Sequence, residues 1–212
     1  MDENVIKYNR LQLERVKEKL IKNGFEDVRL FENHNDVKEE IIKLIPKGST
    51  VGVGGSVTIR ETGILAELEK DRQIITHRPG TDISERKETW KKAAHSDFYL
   101  ASPQAISLEG KLFFLDKYGN RLSSVIFGPT RVVLIAGYNK IVKDDAEASW
   151  RSKNVAAVKN TNRLKSKTPC IKTGECSDCS SDDRICNVYL SLWKRPPATD
   201  YTIFLVNEEL GY

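Results

Sequence analysis

The stretch Thr50 to Glu61, TVGVGGSVTIRE, limits most narrowly how this chain can fold, because an apolar run breaks into three glycines and a serine and then turns helical. It reads as a strand, a tight turn and a helix N-terminus. Gly52, Gly54 and Gly55 permit backbone angles and close approaches that are closed to other residues, and Ser56 is a helix-capping type. Two uses fit. The turn can receive a phosphate or carboxylate, since unpaired N–H groups and a helix dipole favour negative charge. Alternatively, the glycines serve close packing of strand against helix.

On either side, strands alternate with helices. Val5, Tyr8, Leu13, Val16 and Leu20 recur at helical spacing between Val5 and Ile21, and Asn23-Gly24 supplies a stop. A short strand over Asp27 to Phe31 and a helix over Asp36 to Leu44 follow, the helix ended by Pro46 and Gly48. The helix after the glycine turn is expected to run to about Lys70. Next come a strand at Gln73 to Thr76, a helix at Ser84 to Ala94 and a strand at Phe98 to Ala101. This order predicts an α/β fold with a mainly parallel sheet, helices on both faces, and a ligand crevice beyond the carboxyl ends of the strands.

The middle of the chain changes style. Ala105 to Leu108 and Lys111 to Asp116 flank Glu109-Gly110, which predicts an inserted β-hairpin, and Lys117 to Asn120 reads as a second turn. Arg131 to Ala136 is continuously apolar after its first residue, as a strand covered on both faces requires, and it ends at Gly137. A helix is expected from Asp144, and strands at Val188 to Trp193 and Tyr201 to Val206. The expected organisation is one domain over residues 1–212, with an N-terminal helical region to about residue 45. A basic helix and a cysteine-rich loop form an appendage over 150–190.

All four cysteines fall in TPCIKTGECSDCSSDDRIC, as Cys170, Cys176, Cys179 and Cys186. Gly174, Ser177, Asp178, Ser180 and Ser181 make the intervening backbone rich in turns, as wrapping four thiolates around one centre demands. Both tetrahedral zinc and a [4Fe–4S] cluster accept four thiolates. Only Cys176 and Cys179 form a close C-x2-C pair, and the longer gaps to the others favour the cluster over zinc. The preceding segment, from Trp150 to Gly174, carries Arg151, Lys153, Lys159, Arg163, Lys165, Lys167 and Lys172 and no acidic residue. Such cations suit an anionic cluster or an anionic substrate, and equally a solvated helix face.

The net charge of +4 arises from 34 basic and 30 acidic residues, too slight a bias to imply nucleic acid, and no aromatic residues are interleaved with the basic run. The longest aliphatic run, Val132 to Ala136, is far short of a membrane span. The charged, amphipathic N-terminus lacks the apolar core of a secretory signal, so a cytoplasmic location is expected.

With these stretches in hand, the chain resembles the lactate-utilisation (LUD) domain family. The resemblance rests on VGVGGSVTIRETGI at 51 to 64, SPQAISLEGKLFFLDKYGNRLSSVIFGP at 102 to 129, VVLIAGYNKIVKD at 132 to 144, and the cysteine block ending RICNVYL. It implies a fold like that of the ribose-phosphate isomerase, glucosamine-phosphate deaminase and CoA-transferase superfamily (NagB/RpiA/CoA-transferase-like). It also implies anion-binding roles for Gly54, Gly55 and Ser56 in the glycine turn, for Asn120 and Arg121 in a G-N-R turn, and for Gly137, Asn139 and Lys140 in a G-x-N-K loop. Glu109, in an acidic-glycine turn, is the candidate catalytic base or nucleophile, or a plain surface turn. His77 and His95 are further acid–base candidates, or structural residues.

The implied function is that of a cytoplasmic iron–sulfur protein taking part in oxidoreduction of a small hydroxy or oxo acid. A small anionic metabolite, partner redox subunits and self-association as a homo-oligomer are the expected partners. The alternative is a non-redox enzyme or ligand-binding protein for a phosphorylated or CoA-linked molecule, with structural zinc. A shared redox site requires the cysteine centre to lie close to Gly54, Gly55 and Ser56.

Overall fold

A computed structural model describes residues 2–78 and 80–212. Helix α1 (Glu3–Lys22) begins at Asp2, whose carboxylate accepts the Asn4 N–H, and it buries Leu13, Val16 and Leu20. Strand β1 (Asp27–Phe31) leads to α2 (His34–Leu44), capped by Asn33. Strand β2 (Thr50–Val53) feeds the glycine turn, and Ser56 caps the helix that follows by accepting the Ile59 N–H. That helix is two short pieces rather than one, α3 (Val57–Glu61) and α4 (Ile64–Leu68), because Gly63 at φ 65° takes the left-handed conformation between them. Strand β3 (Gln73–Ile75), helix α5 (Ile83–Ala94) and strand β4 (Phe98–Ala101) complete this half.

The principal sheet has six strands in the order β1-β10-β7-β4-β2-β3, with every pairing parallel; β7 is Arg131–Gly137 and β10 is Asp200–Val206. Side chains alternate across it. Val132, Leu134 and Ala136 of β7 join Ile203 and Leu205 of β10 against α1, while Val133, Ile135, Phe204 and Val206 face Val37, Ile41, Ile59, Ile64 and Leu68 of α2 to α4. The chain leaves β2 first toward β3 on one side and then, through α5, returns to β4 on the other. A crevice opens where connections diverge in this way, between the carboxyl ends of β2 and β4.

The expected hairpin is present as β5 (Ala105–Ser107) and β6 (Leu112–Asp116), antiparallel. It is the centre of a second sheet, β8-β5-β6-β9, with β8 at Ile141–Val142 and β9 at Val188–Leu192. Ile106, Leu112, Phe114 and Leu192 of this sheet pack into the same core as α1.

The G-N-R segment is not a hairpin turn. Gly119, at φ 78°, is the N-cap of helix α6 (Asn120–Ile126), which places Arg121 in its first turn with its side chain buried. After β8, helix α7 (Asp145–Arg151) continues through a π-helical turn, Ser152–Ala157, into α8 (Val158–Leu164), and a single turn α9 (Cys170–Thr173) starts the cysteine loop. Among the described residues no helix is long and apolar enough to cross a membrane.

Candidate functional site

A cleft of about 220 Å³ opens at the β2/β4 crevice. Its walls come from Gly55, Ser56 and Thr58 after β2, Ser102 to Gln104 after β4, Asp116 to Tyr118 after β6, Asn120 and Arg121 of α6, and Lys140 beyond β7. Arg86, Lys117, Arg121, Lys140 and Arg163 line it against one carboxylate side chain among the described residues, that of Asp116. Asp116 is itself engaged, accepting the Lys117 and Arg121 backbone N–H groups. A cavity with this balance favours anions.

The three glycines of the opening stretch divide between the two uses considered for them. A Cβ on Gly52 would strike the Ala93 carbonyl oxygen and lie 2.7 Å from Ser96 Oγ and Tyr99 Cδ2, so this glycine lets α5 approach the sheet. A Cβ on Gly54 would lie 2.9 Å from Arg121 Cγ and Cδ and from Tyr99 Oη, so Gly54 makes room for the buried Arg121 stem. Gly55 has open space around it and lines the cleft together with Ser56.

Arg121 donates to the Leu115 carbonyl at 2.6 Å, which fixes the guanidinium at the cleft wall. The same region holds an aromatic cluster that the sequence pattern did not single out as a site. The Trp90 indole donates to His77 Nδ1 at 3.2 Å, and the Trp90 and Tyr118 rings lie 5.1 Å apart at the cleft rim. Burial, reinforced by Arg86, lowers the His77 pKa from its ordinary value, which favours the neutral ring. His95 instead ends α5 as its C-cap.

Lys140 is 2% exposed and its Nζ lies 2.8 Å from Thr58 Oγ1 and 2.7 Å from Ser102 Oγ. Neither partner carries charge. Burial lowers its pKa well below the ordinary value of 10.5, reinforced by Arg151 and Arg121, with Glu61 opposing. Folding therefore releases a proton from Lys140 at pH values between the depressed native value and the ordinary one. In that window the unfolded chain binds more protons, so stability falls by up to about 1.4 kcal/mol for each unit by which the pH is lowered. Lys140→Met is expected to flatten the slope of unfolding free energy against pH between neutral and alkaline conditions, read from denaturant titrations. An unchanged slope would show that Lys140 is charged in the native state.

The other expected site residues separate into two groups. Asn120 lines the cleft beside Arg121. Gly137 and Asn139 do not reach it. A Cβ on Gly137 would strike the Glu208 carbonyl oxygen, and the Asn139 amide bonds the Leu210 N–H at 3.1 Å and the Gly211 carbonyl at 3.2 Å, so both fasten the C-terminal segment to β7. Glu109 is exposed in the β5–β6 turn and pairs with Lys111 at 2.7 Å, outside the residues that line the cleft.

Cys170, Cys176, Cys179 and Cys186 all line one small second cavity, together with Lys153, Thr161, Thr168, Arg184 and Ile185. None is disulfide-bonded. The Thr161 and Thr168 hydroxyls lie 3.4 and 3.2 Å from Cys170 Sγ, and the Cys176 N–H donates to Asn154 Oδ1 at 3.1 Å. Arg184, which the sequence pattern left unassigned although it sits inside the block, clamps the loop by donating to the Cys179 carbonyl at 2.6 Å and the Cys186 carbonyl at 3.2 Å. Burial raises the Cys186 pKa, the Arg184 guanidinium opposes that, and the charges of Cys176 and Cys179 add to it. Among the described residues no three His, Cys, Asp or Glu side chains are grouped as a site for a single metal ion requires.

Two residues, Ala157 and Ile185, line both cavities. Ala157 ends the π-helical turn that also supplies Lys153 to the thiol cavity, Asn154 to the cysteine loop and Ala156 to the cleft. Such insertions re-aim the side chains of a helix and recur at functional sites.

The molecule is thus a parallel α/β protein with a cationic cleft at the strand crossover and a four-thiol cavity sharing the cleft wall. The LUD domain model matches residues 13–206, and the chain belongs to the LUD-domain family. A crystal structure of a DUF162 family protein from Deinococcus radiodurans has the same fold, with a TM-score of 0.53 at 12% identity over 93% of this chain and 98% of that one. No curated protein matches the chain.

Proposed function

We propose that this LUD-domain protein is a cytoplasmic iron–sulfur protein that binds a small hydroxy or oxo acid in the cationic cleft and takes part in its oxidoreduction, with redox partner subunits or as a homo-oligomer. The observation that carries the reading is the common wall of Ala157 and Ile185 between the thiol cavity and the cleft. Cys170, Cys176, Cys179 and Cys186 would hold a [4Fe–4S] cluster, which when bound supplies one-electron transfer. Four thiols lining one cavity support a four-thiolate centre, and the sequence gaps, with only Cys176 and Cys179 as a close pair, favour a cluster over tetrahedral zinc.

The chain's own groups bind and orient the acid. Gly55 and Ser56 line the cleft, Arg121 offers a planar donor pair for a carboxylate, and Arg86, Lys117 and Arg163 add positive potential. Trp90 and Tyr118 cover the rim with apolar surface, which limits water at the bound acid.

Anaerobic purification followed by iron and acid-labile sulfide analysis tests the cofactor. Iron and sulfide in equal, near-stoichiometric amounts, with visible charge-transfer absorbance, is the expected result. A colourless protein with one zinc per chain and no sulfide would remove the redox reading and favour a non-redox protein for a phosphorylated or CoA-linked molecule.

A further inference from the structure

The hydrogen bonds around Lys140 can be counted to completion. Thr58 and Ser102 each own a single hydroxyl proton. Thr58 donates its proton to the Leu210 carbonyl at 3.3 Å, and Ser102 donates its own to the Ile135 carbonyl at 2.6 Å. Both hydroxyls must therefore accept from Lys140 Nζ, at 2.8 and 2.7 Å. An uncharged amine has two N–H bonds and one lone pair. Its two protons satisfy the two hydroxyls and a lone pair takes the remaining tetrahedral position, whereas an ammonium would hold a third N–H with no further side-chain or carbonyl acceptor bonded to Nζ among the described residues. Lys140, Thr58 and Ser102 all line the cleft.

The surrounding charges agree with this count. Among the described residues Lys140 makes no ion pair. Arg151 at the end of α7 and Arg121 on α6 act against its positive charge, and Glu61 on α3 is the opposing carboxylate among the described residues. Arg151 is held in place by donating to the Asn139 and Gln104 carbonyls. An ammonium at this position would be desolvated and repelled by both guanidinium groups, a cost that a neutral amine avoids.

We propose that Lys140 is the covalent nucleophile of the cleft, adding through its unprotonated Nζ to the carbonyl carbon of a small 2-oxo acid. The inference rests on the oxo-acid side of the function proposed above. The nitrogen lone pair forms the C–N bond while the C=O π electrons move to oxygen, and a proton passes from nitrogen to that oxygen to give a carbinolamine. Loss of water then breaks the C–O bond and leaves an imine between Nζ and the former carbonyl carbon. One water is released for each imine, and no oxidant or reductant is consumed. The carboxylate of the acid faces Arg121 and Arg163 on the cleft wall.

Reductive trapping tests this on the intact chain. The protein is incubated with pyruvate or glyoxylate and cyanoborohydride at pH 7 and mapped by peptide mass spectrometry. Lys140 is expected to be modified at least about tenfold faster than the surface lysines, which are almost wholly protonated at that pH. Its rate should rise less steeply from pH 7 to 9 than theirs, which rise roughly tenfold per unit. Lys140→Arg, which keeps a cation but no nucleophilic amine, should lose the modification. The wild-type map decides the question should that variant fail to fold. Modification at Lys140 no faster than at surface lysines, with either acid, would overturn the proposal. Iron and sulfide analysis on the same preparation separates the outcomes, since a trapped Lys140 without iron defeats only the redox reading, and an iron-loaded chain without trapping defeats only the imine.

Discussion

Cys179→Ser, reconstituted anaerobically with iron and sulfide, is expected to retain less than about a tenth of the wild-type iron and sulfide, since changes one shell outside a metal site already cost roughly 10–100-fold in affinity. Serine is nearly isosteric with cysteine, but its hydroxyl stays protonated near neutral pH and replaces a thiolate poorly. The Cys179 main chain would be undisturbed, because its carbonyl and not its sulfur is what Arg184 grips. The loop lies outside the clusters that form the core, and the cysteine is only half-buried, so unfolding of the metal-free chain should move by no more than about 0.5 kcal/mol. Metal loss and fold stability are therefore read separately. Full iron and sulfide content in this variant would exclude Cys179 as a ligand and reduce the cysteine loop to a structural feature.

Gly52→Ala is expected to destabilise the protein by about 3 kcal/mol, the upper part of the range for forcing a methyl into a packed core. For a chain of this size that lowers the melting temperature by roughly 6–12 °C. The new methyl meets the Ala93 carbonyl, a main-chain atom at the end of α5, and on the other sides Ser96 Oγ and the Tyr99 ring, all within 2.7 Å. Ser96 cannot swing away cheaply, since its hydroxyl receives the Gly52 N–H at 3.0 Å and bonds the Ala93 and Phe98 carbonyls at 2.7 Å. Relief requires α5 to lift from β2. Gly55→Ala is the matched control, because no atom lies within 4 Å of its added methyl and its φ is unremarkable for an alanine. It should change stability by no more than about 0.5 kcal/mol. Equal melting of the two variants would contradict the division of labour among the glycines.

The alternating pattern of the fold was legible in the sequence because buried parallel strands need continuous apolar runs and their crossovers need amphipathic helices. Arg131 to Ala136 and Tyr201 to Val206 are such runs, and they lie in two adjacent interior strands, β7 and β10. The clustering of four cysteines in one turn-rich segment was equally legible, since thiols that line one cavity can come from a short stretch of chain. Helix α6 was missed. Its start depends on a left-handed Gly119 and on Asp116 receiving the Arg121 N–H across the turn, and neither leaves an apolar periodicity over only seven residues. The single helix expected after the glycine turn broke at Gly63 for a reason visible only in its φ angle.

By itself the sequence determined the parallel α/β class, the place of the glycine turn at a strand end and the four-thiol block, all of which are local patterns of apolarity, glycine and cysteine. Only the tertiary structure decided what each of those residues meets. It set Gly52 and Gly54 to packing and Gly55 to the cleft, turned Glu109 outward onto Lys111, and gave Gly137 and Asn139 to the C-terminal segment. It also buried Lys140 between Thr58 and Ser102, which lie 82 and 38 residues away in the chain. The physical reason is range. Propensity and periodicity act over a few residues, whereas burial, desolvation and a shared wall at Ala157 and Ile185 arise only when distant segments close on one another.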